Sequence, residues 1–311
     1  MRSTNRFAIA ATTLLGYTVA VVLWGAFVRA SLSGDGCGDH WPLCNGVALP
    51  VEPTTKTIIE LTHRVTSGLC WIGTLVLFVW ARRGFPRGHA TRSAAGWSLF
   101  FMTTEALVGA GLVLFRMVAS NPSTARAAWM SAHLINTFLL LAALTWMAAS
   151  AWKPEGVRFA GSTWSRRAFG VAAIAVLFVG VSGAVAALGD TLFPASSLAE
   201  GIREDFSPTS HVFLRLRIWH PVIAVLGSGY LLWLASALMA QHDGVRLRRL
   251  GLTLGSLVLL QIGVGLLNVW LLAPVWMQLF HLLMADATWI VLVLLALSSP
   301  PRSSDVTLAA S

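Results

Sequence analysis

The chain has 311 residues, 56% of them hydrophobic and only 11% charged, which is more apolar than a soluble domain of this size can bury. Its formal net charge is +9, with 22 Lys and Arg against 13 Asp and Glu. The basic residues stand in short clusters between apolar runs, the pattern of a polytopic membrane protein in contact with lipid, and argue against nucleic-acid binding.

About 20 apolar residues cross a bilayer core. Eight such runs are predicted as transmembrane helices, over 7–29, 58–80, 95–115, 127–150, 167–188, 212–240, 250–271 and 275–298. The first is too long for the apolar region of a signal peptide and reads as an uncleaved span. The polar connection 32–57 carries Cys37 and Cys44, whereas Cys70 falls inside the second run and reads as inert packing. That run opens with "IIELTHRVTSG" (58–68), which sets Glu60, His63 and Arg64 at the mouth of a helix. In the third run "LVGAGLVL" (107–114) resembles "IGVGLLNV" (262–269) of the seventh, pairing Gly109 with Gly265. "WGAFVRASLSG" (24–34) more loosely matches "SGAVAALGD" (182–190). The chain therefore repeats at half its length, and with four spans per repeat both halves enter the membrane in the same sense. The expected fold class is all-α integral membrane: eight transmembrane helices as two pseudo-symmetric four-helix bundles in parallel repeat, 1–152 and 153–311. Close helix contact is the simple reason for the glycines. Between spans five and six, Leu198, Ile202 and Phe206 recur every four residues with charges between them, which predicts a short amphipathic helix over the second bundle.

With the N-terminus on the cytoplasmic side, that side holds 14 of the 22 basic residues, among them Arg82, Arg83, Arg246, Arg248, Arg249 and Arg302. Both termini are then cytoplasmic and the protein is a multi-pass protein of the cell membrane. The connection 32–57 lies outside, where a disulfide can persist.

His63, His133, His220 and His281 fall in spans two, four, six and eight. At about 1.5 Å per residue each lies about 9–12 Å below the outer surface. A lone intramembrane histidine is commonly an interhelical hydrogen-bond partner, but four at one depth on alternate spans point to ligands. Two histidines at equal depth on two helices of a bundle suit a bis-imidazole haem site, giving His63 with His133 and His220 with His281. Glu60-x-x-His63 also raises zinc or di-iron. A ferritin-like site needs a second such motif and two more glutamates, and the remaining spans offer only Glu105 and Asp286. Arg29, Arg64, Arg116, Arg126, Arg215 and Arg217 lie on the outer side, where guanidinium groups suit haem propionates, although snorkelling explains any one of them. Glu60 has no counterpart in the second half, where Arg217 stands three residues before His220. The asymmetry assigns chemistry to the first half and electron transfer to the second. The simpler reading of Glu60 is a carboxylate paired with Arg64.

"CGDHWPLCNG" (37–46), the Glu60–His63–Arg64 cluster, "HLINTFLLLAAL" (133–144), "HPVIAVLG" (220–227) and "FHLLMADAT" (280–288) together resemble the haem A synthase family over nearly the whole chain. The resemblance implies oxidation of a methyl group of haem O, through an alcohol, to the formyl group of haem A for terminal oxidases. It implies that His63 and His133 hold the substrate haem, that His220 and His281 hold a resident haem b, and that Glu60 is the acid–base residue. Cys37 and Cys44 would form a loop disulfide with a redox role. Haem O synthase and an electron acceptor are the expected partners. Two features depart from the family. Ser196 and Ser197 stand in an outer loop where many relatives carry a second cysteine pair. Pro221 follows His220 where an arginine often stands, which shifts propionate binding to Arg215 or Arg217. A di-haem membrane cytochrome without chemistry of its own is the alternative, and a carrier using the repeat interface is a third reading.

Overall fold

A computed structural model describes residues 2–159, 161–242 and 244–299. Arg302 of the charge count lies outside them. Among the described residues ten helices are formed: α1 (Arg2–Ala30), α2 (Thr55–Gly84), α3 (Ala90–Leu114), α4 (Thr124–Ala151), α5 (Thr163–Leu192), α6 (Leu198–Phe206), α7 (Val212–Arg217), α8 (Trp219–Gln241), α9 (Val245–Trp270) and α10 (Val275–Ser298). All eight apolar runs form helical segments long and apolar enough to cross a membrane. Several helices start three to five residues before the apolar run because polar caps open them. Thr54, Ser123 and Ser162 each accept a hydrogen bond from the backbone N–H three residues on.

The sixth run is broken between α7 and α8. Pro221 has no N–H to give to the carbonyl four residues earlier, that of Arg217, and its ring crowds that carbonyl, so the helix interrupts there. The amphipathic segment forms α6, capped by the Ser197 hydroxyl on Glu200 N–H, while Glu200 in turn accepts from Ser196 N–H at 2.7 Å. It packs against α7, and its Leu198, Ile202 and Phe206 are exposed.

Helices α1 to α4 contact one another in a closed ring, α1·α2, α2·α3, α3·α4 and α4·α1, and α5, α8, α9 and α10 do the same. The two sets meet through α4·α10, α4·α5 and α1·α10. Trp289 Nε1 donates to Phe138 O at 2.7 Å and so pins α10 to α4. One apolar cluster, with Phe7, Leu14, Leu77, Met102, Leu144 and Met147, fills the first set, and a second, with Leu231, Leu234, Leu254, Leu292 and Leu295, fills the other. Both sit at the helix ends remote from Cys37 and Cys44. The four histidines lie toward the opposite ends, outside both clusters. On α2, Val65, Leu69, Ile72 and Val76 form an exposed stripe at helical spacing that suits a lipid-facing surface.

Candidate functional site

His63, His133, His220 and His281 each lie near the loop-side end of α2, α4, α8 and α10. Each imidazole packs on a glycine of a neighbouring helix. A Cβ at Gly25 would lie 2.8 Å from His63 Cε1, at Gly183 2.9 Å from His220 Cε1, at Gly265 3.1 Å from His281 Cε1, and at Gly109 3.6 Å from His133 Cε1. Side chains at Gly25 and Gly183 would displace the rings. These are the glycines that the internal repeat pairs, Gly25 with Gly183 and Gly109 with Gly265. Close helix contact is the sequence expectation for Gly109 and Gly265 on spans three and seven; the structure sets all four glycines against imidazoles.

The rings of His220 and His281 stand 6.4 Å apart at 89°. With metal–nitrogen bonds of about 2 Å, two imidazoles on opposite sides of one metal ion have ring centres roughly 6 Å apart. Nδ1 of His63, His133 and His281 is buried without a hydrogen-bond partner. His220 Nδ1 lies 3.0 Å from Ser182 Oγ, which orients the ring and leaves Nε2 for a ligand bond. On α9, Gln261 Nε2 lies 3.4 Å from His281 Nε2 and donates to His281 O at 3.2 Å. Among the described residues no three His, Cys, Asp or Glu side chains converge. Paired imidazoles without further donors fit axial ligation of haem, and do not fit tetrahedral zinc or a carboxylate-bridged di-iron centre. Asp286, the second acid considered for such a centre, is buried with neither carboxylate oxygen partnered.

The two pairs differ in their carboxylates. Glu105 Oε1 lies 3.5 Å from His133 Nδ1 and accepts from the Thr137 hydroxyl, while Oε2 accepts from Asn136 Nδ2 at 2.6 Å. Glu105 is therefore held by α4 itself, through Asn136 and Thr137, close to His133 but not hydrogen-bonded to it. The sequence placed Glu105 in mid-span but gave it no role, because its partners are 31 and 32 residues away.

Glu60 is 3% exposed and fully engaged. Oε1 accepts from Arg64 Nη2 at 2.5 Å and Nε at 3.1 Å, and Oε2 accepts from the backbone N–H of Cys37 at 2.8 Å. Arg64 Nη1 donates to His40 O at 2.6 Å and Leu43 O at 2.7 Å. The pair thus fastens the cysteine loop to α2, one turn from His63. Thr57 Oγ1 adds a bond to Gly36 O, and a Cβ at Gly36 would lie 2.4 Å from the Lys56 backbone, so only glycine permits this approach. Arg116 holds the far side of the loop through Asp39 at 2.5 Å, and this keeps the Asp39 carboxyl below its ordinary pKa.

Cys37 and Cys44 are disulfide-bonded with Cα atoms 4.4 Å apart, and neither is exposed. Protein isolated without reductant is expected to show no alkylation of either residue until it is reduced. Two thiols labelled in the untreated protein would contradict the bond.

The outer arginines fall into two groups. Arg64 is paired with Glu60, Arg116 with Asp39, and Arg217 with Asp190 and Asp205, each at 2.6 Å for the last two. Arg217 therefore ties α6 to α5, which leaves Arg215, exposed and without an ion pair among the described residues, as the freer of the two arginines expected at the second pair. Arg126 is buried and donates to Ala119 O and Asn121 O. Arg29 donates only to neutral acceptors.

The sequence model of the COX15-CtaA family, described as cytochrome oxidase assembly protein, matches residues 8–293. A protein of Thermus thermophilus named Protoheme IX farnesyltransferase is 46% identical over 303 residues, covering 96% of this chain and 49% of that protein. The chain spans about half the length of these Thermus relatives. Proteins named heme A synthase from Halalkalibacterium halodurans and Geobacillus kaustophilus are 40% identical over 97 and 114 residues, or 31% and 37% of this chain and 33% and 35% of theirs.

Proposed function

The chain belongs to the COX15-CtaA family of cytochrome oxidase assembly proteins, and from that premise we propose that it is a haem A synthase, converting a methyl group of haem O through an alcohol to the formyl group of haem A. The observation that carries this reading is the set of four glycine-backed histidines in two pairs, only one of which has carboxylates beside it. His63 and His133 hold the substrate haem. His220 and His281 hold a haem b, which when bound supplies a one-electron carrier between the substrate and an acceptor.

The remaining work belongs to side chains. Ser182 aligns His220, and Glu105 sets a carboxylate 3.5 Å from His133 Nδ1. Oxidation of the alcohol to the aldehyde releases two protons with two electrons, and a carboxylate within a turn of His63 is suited to accept a proton. Glu60 has that place, and Arg64 holds it there. The disulfide loop, fastened through Cys37 N–H, closes the outer mouth of this half against water. The halves 1–152 and 153–311 act as two related bundles, a division supported by the two closed rings of helix contacts and by the reciprocal contacts α4·α5 and α1·α10 across the seam.

The Thermus relative is named for farnesyl transfer to protohaem and has as much chain again beyond the matched region. We infer from this that the protein works beside the enzyme that makes its farnesylated substrate. Farnesyl transfer from a diphosphate calls for carboxylates to hold Mg²⁺, and among the described residues no acidic cluster of that kind exists. The di-haem cytochrome is the second reading, favoured by the match between the two histidine pairs.

Alanine at His63 or His133 tests the assignment of the first pair to substrate. Each variant is expected to retain the resident low-spin spectrum and to yield no haem A when haem O is supplied. Haem A at the wild-type level would overturn the assignment. The orientation follows the basic residues, with both termini cytoplasmic in the cell membrane. Reporter fusions after Arg87 and after Asn45 are expected on opposite sides, and the same side for both would exclude it.

A further inference from the structure

Arg29 lies at the seam between the two helix sets. It stands four residues after Gly25, on the same face of α1, and so one turn outward from the contact with His63. Its Nη1 donates to Ala187 O at 2.8 Å and to Thr191 Oγ1 at 2.9 Å. Ala187 is the repeat counterpart of Arg29 itself, and it lies one turn outward from Gly183, which backs His220. Nη2 donates to Gln278 Oε1 at 2.8 Å, and Gln278 is one turn outward from His281. One guanidinium therefore sits a single turn outward of the packing contacts of three of the four histidines.

All three anchors are neutral, and Arg29 forms no ion pair among the described residues. Asp190, beside Thr191, is held by Arg217 at 2.6 Å instead. Arginine has five N–H donors in a rigid fork. The anchors use three of them and leave the Nε hydrogen and one on Nη2. A half-buried cation fixed from one side by neutral acceptors, with two adjacent donors unused, is preorganised for a carboxylate.

We propose that Arg29 binds a carboxylate of the tetrapyrrole held by His63 and His133, and that its anchors on α5 and α10 make this clamp part of the seam between the halves. The inference rests on the haem reading above and adds the group that recognises the acidic edge of the substrate. It assigns Arg29 rather than Arg64, whose donors are spent on Glu60 and the loop carbonyls.

The test is an absorption titration of the full-length protein, with its resident haem in place, using protohaem and protohaem dimethyl ester as probes. The wild type is expected to prefer the free acid by about tenfold or more, the value of a hydrogen-bonded charge. Arg29→Gln is expected to bind the ester as the wild type does and to lose the preference. Gln278→Leu, which removes one anchor and keeps the charge, is expected to reduce the preference without abolishing it. A wild type that binds both probes equally overturns the proposal without recourse to any variant, and so does an Arg29→Gln protein with the full preference. No uptake of either probe would sink the haem reading as well, which distinguishes the two failures.

Discussion

Replacing His220 or His281 by alanine is expected to remove the low-spin b-type spectrum of the isolated protein. The two rings stand 6.4 Å apart at 89°, a separation that would suit two imidazoles holding one haem, and each packs on a glycine of a neighbouring helix. Loss of a hydrogen-bonding partner of a ligand typically costs metal affinity roughly 10–100-fold. Loss of the ligand itself should exceed that, so that a haem held by the remaining histidine would be only weakly bound. Ser182→Ala supplies the internal comparison. It removes the contact at His220 Nδ1 and keeps the ligand, so haem should remain bound with a weaker affinity and a shifted potential. Unchanged reduced spectra in both histidine variants would place the resident haem elsewhere.

Glu60→Gln is expected to lower the rate of haem A formation by about 10²–10⁴-fold, the usual contribution of a general acid or base, while the resident spectrum is kept and haem O or its alcohol accumulates. The glutamine oxygen can accept from Arg64 or from Cys37 N–H but not from both, since its NH2 then meets the other donor, so one fastening bond is kept and the loss is about 1–3 kcal/mol. Glu60→Ala removes both bonds, leaves Arg64 uncompensated in a site where its side chain is 11% exposed, and is expected to destabilise by about 3–5 kcal/mol. A purely structural Glu60 would give a glutamine variant with wild-type haem A yield and an alanine variant that is merely less stable. That result would pass the proton-accepting role to Glu105, the carboxylate 3.5 Å from His133 Nδ1.

The spans were readable in the sequence because crossing a bilayer imposes a length of apolar chain that nothing else in the fold demands. Their ends were not, since Thr54, Ser123 and Ser162 cap through hydroxyl groups that hydropathy counts as loop. The break at Ile218 was implicit in Pro221 and was masked by the continuous apolar run around it. The four histidines stood out by depth alone. What surrounds them did not, because each contact joins residues far apart in the chain. Gly25 meets His63 across a loop, Glu105 meets residues of the next helix, and Glu60 reaches back 23 residues to Cys37. The glycines showed as a repeat, yet a repeat does not say what a glycine faces. Arg29 was one of six outer arginines, and only its neutral anchors distinguish it from Arg64, Arg116 and Arg217, which already have carboxylates.

The central claim is that the first histidine pair does chemistry on haem O while the second holds a carrier. It is tested most directly by expressing the protein with a source of haem O and identifying the pigments extracted from the purified protein. The account predicts haem A together with haem b, and loss of haem A but not haem b in His63→Ala. Haem b alone, from wild-type protein supplied with haem O, would contradict it and leave a di-haem electron carrier.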